Sequence, residues 1–294
     1  MKVNASFGID HPLLATRDIN ALRDRLLAMG FNMTAIGKHP WGTNTSLAMF
    51  NGCLLEIMGL YDTTLIDEVP AGDFRFGRHV HEHLLQREGV ALTALHSTDS
   101  ETDAQVAAQA GFRVAGHLEF GRDVTLPNGS ADRTKTTLAL LPDEQFPRLS
   151  FFLCQQHRPE LIYVQEWLNH PNSVNGIAGI TILAEQQHWP ELNKRFERLY
   201  GNSKTIHGGF KCQTANGVIR VMNEESIQDS LGTLPEAVLQ EPTPCIVGMD
   251  FTVENLPLLS DYLTKASVGY RQVEKDIVLD TPSLTANTVF RFIG

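Results

Sequence analysis

The stretch "FGIDHPLLATRD", Phe7 to Asp18, sets a single histidine, His11, inside a short apolar run. An imidazole in that setting can ligate a metal or move a proton near neutral pH. It can equally be a satisfied core side chain. Other chemically capable residues are scattered. "GRHVHEHLLQREG" puts His79 and His83 four residues apart, on one face if Phe74–Arg87 is helical. It lacks the H-E-x-x-H zinc arrangement, and a solvated helix face is the plainer reading. In "KHPWGTNTSL", Trp41 can floor a ligand pocket and Asn44 can hydrogen-bond a substrate oxygen. The alternative is a turn shaped by its Pro and Gly beneath a packed Trp41. Arg122 can meet an anionic substrate or be a strand-edge charge. The Asn128-Gly129 pair just beyond it predicts a type I′ hairpin turn.

The four cysteines, Cys53, Cys154, Cys212 and Cys245, form no C-x-x-C pair, so no zinc ribbon or thioredoxin-like motif is present. Cys154 lies in an apolar run, where a reduced thiol packs as a small hydrophobe or faces a pocket. The chain also lacks a G-x-G-x-x-G loop, a phosphate-binding G-x-x-x-x-G-K-[ST] loop and a G-x-S-x-G elbow.

The elements that must position these residues recur along the chain. Asp18 can cap a helix that Gly30 ends, with Ile19, Leu22, Leu26 and Met29 on one face. Three strand-like runs follow: "FNMTAIGKH", "NTSLAMF" and "CLLEIMGL". The order returns after "GVALTALHSTD", whose helix ends at Gly111-Phe112, and again after "GIAGITILAE" and "CIVGMDFTVE". The spacing predicts about four βαβββ units, paired two by two because one unit cannot close its own curved sheet. The fold class expected is therefore α+β, with two barrel-like curved sheets. The expected division is residues 1–160, a linker at 161–175, and residues 176–294.

With 294 residues, 42% of them hydrophobic, the chain can bury a sizeable core. Its formal charge is −10 and its 24 basic residues form no long run, which argues against nucleic-acid or anionic-membrane partners. No apolar run reaches the roughly 18 residues needed to span a bilayer. The start "MKVNASFGID" lacks a signal-peptide core, so a cytoplasmic location is expected.

"GIDHPLLATRD", the helix ending "AMGF", "HPWGTNTSLAMF" and "NGCLLEIMGL" together resemble the vicinal oxygen chelate superfamily. That group holds glyoxalase I, the fosfomycin and bleomycin resistance proteins, and extradiol dioxygenases. The match is good over the first unit, weaker over the second, and one of pattern only in the second half. The resemblance implies a divalent metal (Zn, Fe, Mn or Ni) in the cup between paired units, each unit giving a ligand from its first and last strands. Carried onto this chain, the first-unit ligands fall on His11 and Glu56, with Glu56 also the expected catalytic group. In the second unit Ala91 or Leu92 stands where a second His or Gln would be, and Cys154 stands near the place of the second Glu. Gly179 and Gly248 stand opposite His11 in the other units, and Val221 opposite Glu56. Cys154, Gln156 or a nearby His would complete the set.

The resemblance implies a metal-dependent lyase or isomerase acting on a small substrate with adjacent oxygens. Trp41, Asn44 and Arg122 would contact that substrate. Ring cleavage is disfavoured, because two-domain extradiol enzymes keep their iron ligands in the second domain. The alternative is a metal-free protein that sequesters a small molecule, with His11 and Glu56 satisfying each other. Units of this kind also pair between chains, so a homodimer is open.

Overall fold

Asp18 starts the helix Ile19–Ala28 by accepting a hydrogen bond from the Ala21 N–H. Gly30, at φ +85°, turns the chain out of it, and the Phe31 N–H returns to the Leu26 carbonyl. Asp99 caps Ser100–Ala110 and Asn255 caps Leu256–Lys265 in the same way. Trp189–Tyr200 has no side-chain cap and carries proline in its first turn instead. These four helices stand where the repeated pattern predicts them, in a computed structural model that describes residues 7–241 and 244–294.

Each unit closes by pairing its first strand in parallel with its last. Ile9–Ala15 lies beside Cys53–Leu60, with Leu13 opposite Glu56, and Gly89–Ser97 lies beside Phe151–Gln156. The two first strands meet antiparallel, which joins the units into one eight-stranded curved sheet. The second half repeats the topology around Val174–Leu183 and Cys245–Val253. No described helix is long and apolar enough to cross a membrane.

The sheet faces that carry the helices turn toward each other and share one apolar core. Phe31 and Phe50 of the first half meet Phe251 of the second at ring distances of 5.8 and 6.2 Å. Asn216 extends the sheet hydrogen bonding across the halves, receiving the Ile9 N–H and donating to the Ile9 carbonyl, both at 2.8 Å. The opposite faces form the two cups, and their contents differ. In the second half, helices Glu224–Leu231 and Glu236–Leu239 press Ile227, Leu231 and Val238 against Cys245, Val247 and Val289. A Cβ added at Gly248 would meet Leu231 Cδ1 at 2.9 Å, so this cup is plugged by its own chain. In the first half, helix Phe76–Gln86 fills only one side and leaves a cavity of about 510 Å³.

Two local expectations are corrected. Of Asn128 and Gly129 only the glycine has positive φ, so the turn is not type I′, which needs both. Pro127 sets the first turn residue, Gly129 N–H bonds the Leu126 carbonyl, and the hairpin closes with Leu126 N–H on the Ser130 carbonyl. Nor do His79 and His83 form a solvated face. His83 is buried against the Arg148 guanidinium, and His79 Nε2 lies 3.1 Å from the Ala91 carbonyl. The 161–175 stretch packs Ile162, Tyr163 and Trp167 on Leu47, Met49 and Leu54, and so walls the first cup.

Candidate functional site

The site begins with a fault in a strand. Between Ile9 and His11 the pairing with Gly89–Ser97 slips by one residue, leaving Asp10 as the extra one. The bulge brings Asp10 and His11, which a regular strand would send to opposite faces, into contact. His11 Nδ1 donates to Asp10 Oδ1 at 2.7 Å, and its Nε2 donates to Glu56 Oε2 at 3.1 Å. Thr45 Oγ1 donates to the other Glu56 oxygen at 2.6 Å. Asp10, His11 and Glu56 are only 1%, 5% and 7% exposed, so their charges must be settled among themselves.

Burial disfavours the charged imidazole, but the Asp10 and Glu56 carboxylates outweigh it and raise the His11 pKa to about 9. Burial likewise opposes charge on Glu56, yet the His11 hydrogen bond and charge, helped by Thr45, hold it at about 2. The pair is ionic at neutral pH. The ring resonances of His11 should therefore titrate in an NMR pH series with a midpoint near 9. A folded-state pKa above the unfolded value gives stability that is complete below pH 6.5 and lost as pH rises through about 9. A midpoint near 6.5 would contradict the arrangement.

His39 is the opposite case. Buried, stacked on Trp41 at 4.8 Å and near the charge of Arg122, it is driven down to about 3 and stays neutral. Its Nδ1 lies 2.9 Å from Thr43 Oγ1.

The structure brings His11, Glu56, Trp41, Arg122 and Cys154 to the wall of one cavity, with Phe76, Phe120, Phe152 and Trp167. Asn44 is not among the lining residues. Its Oδ1 is turned to Gly59, where an added Cβ would meet it at 2.8 Å. Cys154 Sγ accepts a hydrogen bond from Gln156 Nε2 at 3.2 Å, and burial pushes the thiol well above its ordinary pKa. It is a packed, protonated thiol.

Strand register identifies which residues occupy equivalent places. Leu13 opposite Glu56 corresponds to Ala94 opposite Phe152, Thr181 opposite Arg220 and Asp250 opposite Arg291. Leu13, Ala94 and Asp250 each stand five residues before their helix caps, Asp18, Asp99 and Asn255. His11 then corresponds to Leu92, Gly179 and Gly248. The register thus puts Phe152, not Cys154, in the second Glu position, and Arg220, not Val221, in the third.

Four places around the first cup are therefore His11, Glu56, Leu92 and Phe152. The Phe152 ring stands edge-on to the imidazole at 5.5 Å. Two donors that already bind each other, faced by a leucine and a phenyl ring, do not make a divalent-metal set. Among the described residues no group of three or more His, Cys, Asp or Glu side chains is arranged to hold one. In the second half, Arg220 and Arg291 flank the buried Asp250 in the corresponding places.

Sequence reasoning missed Asp10, Thr45 and His96, whose Nε2 is 3.6 Å from Asp10 Oδ2. Strand alternation sends adjacent Asp and His side chains to opposite faces, and only the bulge, which depends on pairing with a distant strand, brings them together.

A model of a glyoxalase-like domain family matches residues 9–200. No curated protein sequence matches the chain. Among solved structures, a hypothetical protein from Staphylococcus aureus superposes with a TM-score of 0.67 at 10% identity, over 98% of this chain and 99% of that one. A mutant of 4-hydroxymandelate synthase from Streptomyces coelicolor gives 0.62 at 10% identity, over 99% and 92%. A xylose isomerase-like TIM barrel/4-hydroxyphenylpyruvate dioxygenase fusion protein gives 0.55 at 10% identity, over 99% of this chain but 49% of its own. At such identities the superpositions speak for the fold alone, whereas the family match spans well over half the sequence. The chain belongs to the glyoxalase-like domain family.

Proposed function

We propose that the first cup binds a small, largely apolar molecule and does so without a divalent metal. The observation that carries this reading is the pair Leu92 and Phe152 at two of the four places from which the superfamily draws ligands. The cavity has the size and the mostly apolar wall usual for small-molecule sites. Its ionic groups include His11, Glu56 and Arg122, set among uncharged polar side chains such as Thr34, Thr136 and Gln156. The second half, with its cup plugged, serves as scaffold through the shared core. The metal-dependent lyase or isomerase expected from the resemblance is the competing reading.

Metal analysis and fluorescence separate the two. Protein purified without chelator should carry well under about 0.1 ion per chain, and Zn²⁺, Mn²⁺, Ni²⁺ or Fe²⁺ should leave its melting temperature unchanged. A neutral apolar probe such as 2-naphthamide should quench the emission of Trp41 and Trp167, which line the cavity, and Trp41→Phe should remove part of that signal. One tightly held ion per chain, lost in His11→Ala, would replace this reading with the enzymatic one.

A further inference from the structure

The geometry points to a monoanionic ligand with an aromatic body, an aryl or arylalkyl carboxylate, held through its carboxylate by Arg122. This rests on the small-molecule reading of the first cup and names its ligand class. The backbone of Arg122 is fixed. Its N–H donates to Thr134 Oγ1 at 2.9 Å, and its carbonyl accepts the Thr134 N–H at 2.9 Å. The guanidinium reaches into the cavity, passing close to Gly37, where an added Cβ would stand 3.2 Å from Nη1. Among the described residues it has no hydrogen-bond or ion-pair partner, although it carries five N–H donors in a rigid fork.

No neighbouring group removes that demand. Glu56 is already engaged by His11 and Thr45 and acts on Arg122 only through its field, and Asp123, next to Arg122 on the same wall, is paired with Arg133 at 2.6 Å. Asp10 is turned to His11 and His96. His39 is neutral and supplies no second cation. Arg122 is thus the only Lys or Arg on the described cavity wall.

These facts also define the anion. A carboxylate matches the guanidinium fork with two oxygens and brings one charge. A phosphate dianion would bring a second charge into a wall whose other cation, His11, is already held by Asp10 and Glu56, at the cost attached to a buried unpaired ion. The Asp10 and Glu56 carboxylates repel an anion at the other end of the polar group, so the charged end belongs at Arg122. The body of the ligand then lies along Trp41, Phe76, Phe120, Phe152 and Trp167, whose faces and edges favour an aromatic ring.

The test compares 2-naphthoate with the neutral 2-naphthamide by quenching of tryptophan emission in the full chain. Wild-type protein should bind the carboxylate at least about tenfold tighter than the amide. Arg122→Gln should erase that preference while keeping amide affinity within about twofold, and Arg122→Lys should restore part of it. Retained amide binding also shows that the glutamine variant is folded. Equal binding of the two probes by wild-type protein would overturn the anion assignment and leave the cup reading standing. No binding of either would overturn both.

Discussion

Replacing His11 by leucine is expected to destabilise the protein by about 3–5 kcal/mol at neutral pH, the usual result of removing one partner of a buried ion pair. The change leaves two carboxylates, Asp10 and Glu56, in a site where each is less than a tenth exposed. Glu56 would keep only Thr45, and Asp10 only the longer contact to His96 at 3.6 Å. Lost apolar packing is a small part of the expected effect, because leucine is itself a good fit beside Leu13 and Phe152. The cost is electrostatic, and its pH dependence should show this.

In the native protein the Glu56 pKa is depressed to about 2, so its contribution is present above pH 4.5 and lost only as pH falls through about 2. Without His11, burial is opposed mainly by the Thr45 hydrogen bond, and the folded-state pKa is expected to rise above its ordinary value. A group so shifted destabilises the fold above that pKa and ceases to do so once protonated. The gap between His11→Leu and wild type should therefore narrow as pH falls from 7 toward 4. Adding Glu56→Leu should recover much of the loss, since removing both partners leaves fewer stranded charges. Urea unfolding at several pH values measures all three proteins. A loss below about 1 kcal/mol that is flat with pH would mean that solvent, not His11, settles these carboxylates.

The legible part of the fold is the part governed by local rules. Asp18, Asp99 and Asn255 announce their helices because a cap needs only the next turn to act. Gly30 and Gly111 announce the ends because few other residues tolerate positive φ. His11 and Glu56 were legible through the family pattern, and Trp41 and Arg122 through residue type. Illegible features depend on partners distant in sequence. "LSFFLCQQ" is apolar without alternation, so nothing in it says whether Phe152 or Cys154 aligns with Glu56. Only pairing with Gly89–Ser97 decides that. Asn44 was assigned by type, but strand alternation turns Thr45, Leu47 and Met49 to the cup and Asn44 away from it. Asp10 was hidden by the same alternation rule, which fails at a bulge. The plug in the second cup was hidden because a short helix such as Glu224–Leu231 reads alike whether it covers a cup or fills one.

By this strand register a metal site is two side chains away. If His11, Glu56, Leu92 and Phe152 are the four equivalent places, then Leu92→His with Phe152→Glu should let the chain take up a divalent metal. The double variant should bind about one Zn²⁺ or Ni²⁺ per chain where wild type binds almost none. Without metal it should melt well below wild type, because a histidine and a carboxylate replace apolar wall without partners. Metal should then raise its melting temperature and chelator should lower it again, since an ion that binds only the folded state stabilises it by mass action. Leu92→His with Cys154→Glu is the control, because it puts the carboxylate opposite His96 rather than beside Ala94. Uptake by the control but not by the Phe152 variant would mean that Cys154 holds the ligand place and that the equivalence drawn from the strand pairing is wrong. Uptake by the Phe152 variant alone would confirm that His11 and Glu56 keep a ligating geometry, and that Leu92 and Phe152 are what separates this cup from a metal centre.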